Sequence, residues 1–561
     1  MFETETTLEK IHRPQTNHKM ADGRHGAWSE ASTMLAELLS KKTRSIEASL
    51  TPETPHWKRI IIVHNRLPFN IKHDALGNPS VSPSAGGLVT AMSPLFKAGM
   101  RSKWVGWPGT EKDEGLEDAV RAVANGKEIG IVRLTKDEVE GHYEGYSNKV
   151  LTPLFESAID KIDYSDIDTN WIIYQEVQKK FAHKVAEDVR ADDVIWIHDW
   201  HLTGVGKELR EMGVDQPLGF FLHIPFPHKE ELALLPQYKI LLQNLLAHDI
   251  VGFQTDVFKK RFIDAVCTYI PGVVVEKQSD TVTLLHIGER VIRVGNFPIS
   301  IDPKEFLEQV AEPPTVEYAR RLDKELRKDG EVQLIFNAGR LDYIKGFYEE
   351  LLAFDRLLEK HPELIGKVVL FQLVIPSRES ILAYKEYKEK ILALAEKINR
   401  KHKIAITQKP TSESEQGESF AAYEDMPVRQ VHAHMDRSMY LAHLHVADIQ
   451  SVPTKADGMN LVAKEGAVVG KSTMVQLLGK DAGVAEELAD SAVIIDPDNT
   501  ESFADALYEA YAMKDAEKTT RKSKMLSVIQ SNDVFSWWSK EQGPLFQEVW
   551  TEKTKNNPSL H

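Results

Sequence analysis

From Lys58 onward the chain alternates short, nearly uninterrupted apolar runs with longer stretches whose apolar residues recur every three or four positions. A run such as KRIIIVH (58–64) has no polar face, as strands of a parallel sheet covered on both sides do not. Similar runs stand at Lys103–Trp107, Ile129–Leu134, Val194–His198, Leu218–His223, Ile250–Phe253, Val282–His286 and Val291–Phe297. A second series follows at Leu334–Ala338, Val368–Ile375, Lys403–Thr407, Asp448–Val452, Ser472–Leu477 and Ala492–Ile495. Between them the helical period predicts Leu88–Ala98, Trp171–Ala191, Asp256–Tyr269, Phe347–Lys360, Glu379–Lys401 and Arg437–Val446, among others. Strands alternating with helices mean βαβ units, so the expected fold is α/β, with two Rossmann-like doubly wound halves facing a cleft.

The expected division is a polar, His-rich extension over 1–56, one Rossmann-like domain over 57–297 and a second over 298–530. A last helix within 531–561 is expected to pack back on the first domain. Residues 408–434 read as a polar loop too long for an ordinary connection, and the stretch between Pro68 and Ser84 as a turn-rich linker.

Composition narrows the classes. A chain of 561 residues exceeds one ordinary core, and a net charge of −15 speaks against a nucleic-acid partner. An anionic ligand must then be held by local cations against the overall field. One cysteine, Cys267, excludes an internal disulfide framework and a cysteine cluster for zinc, which makes a reducing, cytoplasmic setting the default. No apolar run reaches the ~20 residues of a membrane span, and the first residues lack the apolar core of a signal peptide. Oligomeric state, including a homo-oligomer, stays open.

The candidate chemistry sits at strand ends, where ligands of parallel sheets bind. In FNAGRLDYIKG (336–346) a buried strand runs into a loop with Arg340 and Lys345, and Gly346 then opens a helix. Two cations and a helix start suit a multiply charged phosphate, although such a pair alone reads equally well as solvated surface. Gly86 and Gly87 precede a helix and let backbone amides approach a ligand. In Asp457-Gly458-Met459-Asn460-Leu461-Val462-Ala463-Lys464-Glu465, a glycine turn leads into a helix flanked by two carboxylates. Taken singly, Asp457 reads better as an N-cap and Glu465 as a solvated helix face. Carboxylates beside an anion clamp nonetheless suit a sugar attached to a diphosphate. Arg66, Asp199 and His223 fall at strand ends of the first half.

Taken in order, NRLP, SAGGL, WVGW, HDWHL, FLHIPFP, GRLDYIKG and DGMNLVAKE resemble glycosyltransferase family 20, the retaining trehalose-6-phosphate synthases and their relatives, from about Lys58 to Phe546. The resemblance implies a GT-B fold and transfer of glucose from a nucleotide sugar to a phosphorylated acceptor, with no metal and no other cofactor. It implies a donor site of Gly86, Gly87, Arg340, Lys345, Asp457, Gly458, Met459, Asn460, Leu461 and Glu465, with His223 touching the donor sugar. The acceptor side would be Arg66, Trp107, Tyr143, Asp199 and Arg378. Arg340, Lys345, His223 and Asp199 would carry catalysis. Thr152 stands where the family has a tryptophan, which removes an aromatic wall from the expected acceptor pocket and leaves glycerol 3-phosphate as a second acceptor. A silent sugar-phosphate-binding relative is the reading outside enzymes.

Overall fold

The protein was analysed as a computed structural model that describes residues 57–73, 79–83, 87–111, 115–124, 128–326, 332–377, 381–402 and 426–556. The extension, Gly86, Arg378, the expected strand Lys403–Thr407 and most of the 408–434 stretch lie outside these residues.

The first sheet uses β1 (Arg59–Arg66), β4 (Ser102–Trp107), β5 (Glu128–Ile131), β6 (Asp193–His198), β7 (Leu218–Phe221), β8 (Ile250–Phe253), β9 (Val273–Lys277), β10 (Val282–Ile287) and β11 (Arg290–Asn296). Its order is β5-β4-β1-β6-β7-β8-β11-β10-β9, parallel except at the β11-β10-β9 edge. Ile60 to Val63 of β1 are fully buried, so the apolar run has core on both faces. One polar pair fixes its register. Arg59 stands opposite Asp193 of β6 and donates to it at 2.9 and 2.6 Å, so neither buried charge lacks a partner.

The second sheet, β14-β13-β12-β15-β16-β17, is wholly parallel. Its strands are β12 (Gln333–Arg340), β13 (Val368–Ile375), β14 (Val428–Val431), β15 (Ile449–Val452), β16 (Val475–Gly479) and β17 (Val493–Ile495). Two expectations are corrected here. The supposed linker contains an antiparallel hairpin, β2 (Phe69–His73) with β3 (Pro79–Pro83), whose prolines mask the strand pattern. The polar 408–434 stretch ends in edge strand β14, too short and too polar to announce itself.

The helices that matter for the site are α1 (Gly87–Lys97), α2 (Ile167–Ala186), α3 (Asp256–Tyr269), α4 (Phe347–Lys360), α5 (Leu461–Val469) and α6 (Gly543–Asn556). α6 runs back to the first sheet. Arg293 of β11 donates to Glu548 at 2.8 Å and Glu552 at 2.5 Å, and Phe546 lies 6.2 Å from Trp196.

After the Thr135 capping box with Glu138, the chain widens into a π-helix, Val139–Leu151. Glycines allow the close approach to α2: a Cβ on Gly141 would lie 2.5 Å from Ile173, and one on Gly145 2.7 Å from Asn170. Among the described residues no helix is long and apolar enough to cross a membrane.

Candidate active site

β12 delivers Arg340 to its exposed carboxyl end, where no hydrogen bond or ion pair with the described residues engages it. The chain then turns through a short 3₁₀ segment, Tyr343–Lys345, capped by the Asp342 carboxylate, which accepts from the Ile344 amide at 3.3 Å. Gly346 closes the loop with φ 71°, and a Cβ there would sit 1.9 Å from the Pro453 carbonyl oxygen. Both the left-handed backbone and the close approach require glycine. α4 begins at the next residue.

The loop is pinned from behind by a residue that sequence reasoning missed. Glu350 belongs to the apolar stripe of α4 with Phe347, Leu351, Phe354, Leu357 and Leu358, and like them it is buried. A glutamate at such a stripe position was the available signal. Its Oε2 accepts from Asn337 and Gln372, each at 2.7 Å, tying the first turn of α4 to β12 and β13. Burial pushes its carboxyl up to about 7, against the opposing effect of these hydrogen bonds.

Opposite Lys345 lies the glycine turn. Lys345 Nζ pairs with Asp457 Oδ2 at 2.5 Å. Asp457 is held by a bridge to Ala482, with the Gly483 amide donating to its carbonyl at 3.0 Å. Asn460, at φ 77°, caps α5 by accepting from the Ala463 amide. Met459 is buried, and Leu461 opens the helix. Glu465, one turn further, takes a short hydrogen bond from the Tyr440 hydroxyl. Burial raises its carboxyl pKa, while Arg437 and the Tyr440 hydroxyl act the other way.

The two sheets meet at this turn. A Cβ on Gly458 would fall 1.7 Å from the carbonyl oxygen of His223, so the turn packs directly on the backbone of the first half. Gly87, at the start of α1, faces Leu461 Cδ1 with room for only a 3.6 Å contact.

The first half builds its side from four separate segments. A register irregularity between Val63 and Arg66 aims Arg66 off the end of β1, and its guanidinium lies 4.8 Å from the Trp107 ring centroid. Gly109, at φ 83°, makes room, since a Cβ there would meet that guanidinium at 2.0 Å. Tyr143, from the π-helix, completes the wall at 5.9 Å from Trp107 and stacks on His201 at 5.7 Å. Asp199 follows β6 in a left-handed conformation, φ 72°. Its Oδ1 accepts from the His223 amide at 3.0 Å, and its Oδ2 lies 3.8 Å from His64 Nε2. Burial opposes ionisation of Asp199, but His223, His64 and His201 outweigh it and hold the carboxyl well below its usual range.

The ring of His223, expected from the resemblance to touch the donor sugar, is held by neighbouring side chains. Both ring nitrogens are taken by protein: Nδ1 by Gln254 Nε2 at 3.1 Å and Nε2 by His198 Nδ1 at 3.0 Å. Burial lowers its pKa to about 4 although Asp199 works against this. What His223 turns toward the second half is its carbonyl, against Gly458.

Thr152 is buried, and its hydroxyl donates to the Ser147 carbonyl at 2.9 Å. Its neighbours Phe155 and Glu156, not Thr152 itself, line a cavity of about 1500 Å³ between the halves. That cavity touches the clamp loop at Tyr343 and Ile344 and the glycine turn at Lys455 and Ala456. None of the described residues nominated from sequence lines it.

The sequence profile described as Glycosyltransferase family 20 matches residues 58–545. A Botryotinia fuckeliana protein named alpha,alpha-trehalose-phosphate synthase [UDP-forming] is 33% identical over 507 residues, covering 89% of this chain and 91% of that one. An Aspergillus fumigatus protein of the same name, numbered 1, is 34% identical over 495 residues, covering 87% and 90%. Among solved structures, one described as trehalose-6-phosphate from E. coli bound with UDP-2-fluoro glucose is 31% identical with TM-score 0.72, covering 87% of this chain and 99% of that chain. A Burkholderia xenovorans alpha,alpha-trehalose-phosphate synthase (UDP-forming) in complex with glucose-6-phosphate is 28% identical with TM-score 0.73, covering 87% and 100%.

Proposed function

Because the chain belongs to glycosyltransferase family 20, we propose that it moves glucose, with retention of configuration, from UDP-glucose to glucose 6-phosphate, giving α,α-trehalose 6-phosphate and UDP. The observation that supports this reading is the packing of the glycine turn, at Gly458, on the His223 backbone carbonyl, with Lys345 paired to Asp457 on one side of that contact and Asp199 bonded to the His223 amide on the other.

In this reading residues 57–297 form the acceptor domain and 298–530 the donor domain. Arg340 and Lys345 take the donor diphosphate, with the amides at Gly86 and Gly87 covering it. Asp457 and the Gly458–Leu461 turn face the donor sugar, and Glu465 takes the ribose. Arg66 and Arg378 hold the acceptor phosphate, while Trp107, Tyr143 and Asp199 hold the acceptor ring.

As UDP departs, negative charge grows on the β-phosphate. Arg340 and Lys345 stabilise it more in the transition state than before it, and one such preorganised donor is worth roughly 3 kcal/mol. Lys345 is held for this role by Asp457. Asp199, its carboxyl held well below the usual range, is a weak base that accepts hydrogen bonds from acceptor hydroxyls rather than their protons. The departing phosphate oxygen therefore takes the acceptor proton on the face from which the acceptor attacks, and configuration is retained. A cytoplasmic setting is part of the proposal, supported by the single cysteine, Cys267.

The test is UDP release from purified protein given UDP-glucose with glucose 6-phosphate or glycerol 3-phosphate. Release that needs glucose 6-phosphate is expected. Release only with glycerol 3-phosphate would move the acceptor assignment, and none with either would remove the enzyme reading.

A further inference from the structure

The ring of His223 is connected to the crossing between the two sheets through one side chain. Gln254, just after β8, is buried, and its two amide atoms serve different partners. Oε1 accepts from the backbone amide of Ile299 at 2.9 Å, which leaves Nε2 to donate to His223 Nδ1 at 3.1 Å. The amide cannot be turned over without setting its NH2 against the Ile299 N–H. His223 Nδ1 is thus the acceptor, its proton sits on Nε2, and that N–H donates to His198 Nδ1 at 3.0 Å.

The Ile299 backbone is also held through its carbonyl. Its carbonyl accepts from Lys464 Nζ at 2.9 Å, and that buried ammonium is paired with Glu487 at 2.5 Å. Lys464 is the neighbour of Glu465 on α5. One residue of the segment joining the two sheets is therefore bonded through its amide to Gln254, which holds the ring beside Asp199, and through its carbonyl to the helix that carries Glu465.

We propose that Gln254 is a positioning residue: it fixes His223 as the Nε2–H tautomer and ties that ring to the Ile299 peptide, so that docking of α5 and orientation of His223 are a single event. This inference rests on the functional reading above, because it assigns His223 to the reacting cleft. Gln254 touches no substrate in it. Its effect passes through His223, whose carbonyl meets Gly458 and whose amide bonds Asp199.

The charged and titratable groups facing His223 are His198 and Asp199 from the end of β6 and His64 from β1. Gln254→Glu keeps the acceptor for Ile299 but replaces the donor to Nδ1 with a carboxylate. The His223 proton must then move to Nδ1, and imidazolium becomes easier to form.

The experiment uses the full chain, labelled with nitrogen-15 histidine, as wild type, Gln254→Glu and Gln254→Met. Wild type is expected to show His223 protonated on Nε2. Gln254→Glu should move that proton to Nδ1, lower kcat about tenfold or more with KM for both substrates within about threefold, and add an ionisation to the kcat profile below neutral pH that wild type lacks. Gln254→Met, which removes both bonds without adding charge, should lower kcat similarly and add no ionisation. A merely structural role would lower the melting temperature of both variants and leave tautomer and pH profile unchanged. A wild-type kcat and pH profile in Gln254→Glu, or His223 protonated on Nδ1 in wild type, overturns the proposal. If wild type itself turns over no substrate pair, the functional reading fails, while the tautomer measurement still decides the Gln254 geometry.

Discussion

The two walls of the cleft are assembled in opposite ways. The wall from the second sheet comes from two continuous stretches, 336–346 and 457–465. In these, strand, turn and helix start follow one another, and glycines at 346 and 458 let backbone approach backbone. The wall from the first sheet gathers Arg66, Trp107, Tyr143 and Asp199 from four distant segments and supports them with rings, buried amides and left-handed backbone. The first design leaves a cation exposed to receive charge. The second holds Asp199 among partners already in place and Arg66 over a ring, while the buried Trp107 Nε1–H has no hydrogen-bond partner among the described residues.

That contrast predicts different failures. Arg340→Ala should lower kcat about 10²–10³-fold, as loss of a transition-state charge donor does, and leave the melting temperature unchanged because the side chain is exposed. Equal loss of stability and activity would break the comparison. Gly458→Ala sets a Cβ against the His223 carbonyl, and the halves can no longer pack as they do. Steady-state kinetics should show kcat/KM down about 100-fold for both substrates.

On the other wall, Arg66→Lys removes the planar group lying over Trp107 while keeping the charge. KM for glucose 6-phosphate should rise about tenfold, with KM for UDP-glucose steady. A change in the donor KM instead would place Arg66 on the wrong wall.

How much of this was legible follows the same division. The clamp and the glycine turn could be read directly, because a strand, its loop and the next helix are local in sequence; helix Phe347–Lys360 starts and stops where its apolar period does. Arg66 and Asp199 could be nominated from strand ends, but their aim could not. It depends on the irregularity after Val63 and on the positive φ of Asp199, neither of which has a sequence signature. Nor does the apolar period announce the π-helix, whose Gly141 and Gly145 pack closely on α2. Gln254 was invisible because its role depends on a backbone amide 45 positions away.

The smaller effects concern pH. His142, His248 and His443 are buried and His223 is half-buried, and desolvation lowers the pKa values of His142, His223, His248 and His443 to about 3, 4, 4 and 4. Each folded value is below the unfolded ~6.5, so the unfolded chain binds more protons between them, and the stabilisation present above ~6.5 is lost as pH falls toward 4. Thermal melts should show stability falling steeply over that window. Glu350 has the opposite sign. With its pKa raised to about 7, its contribution is full below ~4.5 and lost as pH rises through 7. Gln accepts the same bonds from Asn337 and Gln372, so Glu350→Gln should leave melting near pH 5 almost unchanged and raise it relative to wild type near pH 8.

The most direct test of one cleft joining a diphosphate clamp to a sugar-phosphate pocket is the stereochemistry of its product. UDP-glucose and glucose 6-phosphate should give a non-reducing disaccharide phosphate in which proton NMR shows two α-anomeric centres. A β-linked product, or UDP release accompanied only by free glucose, would contradict the account.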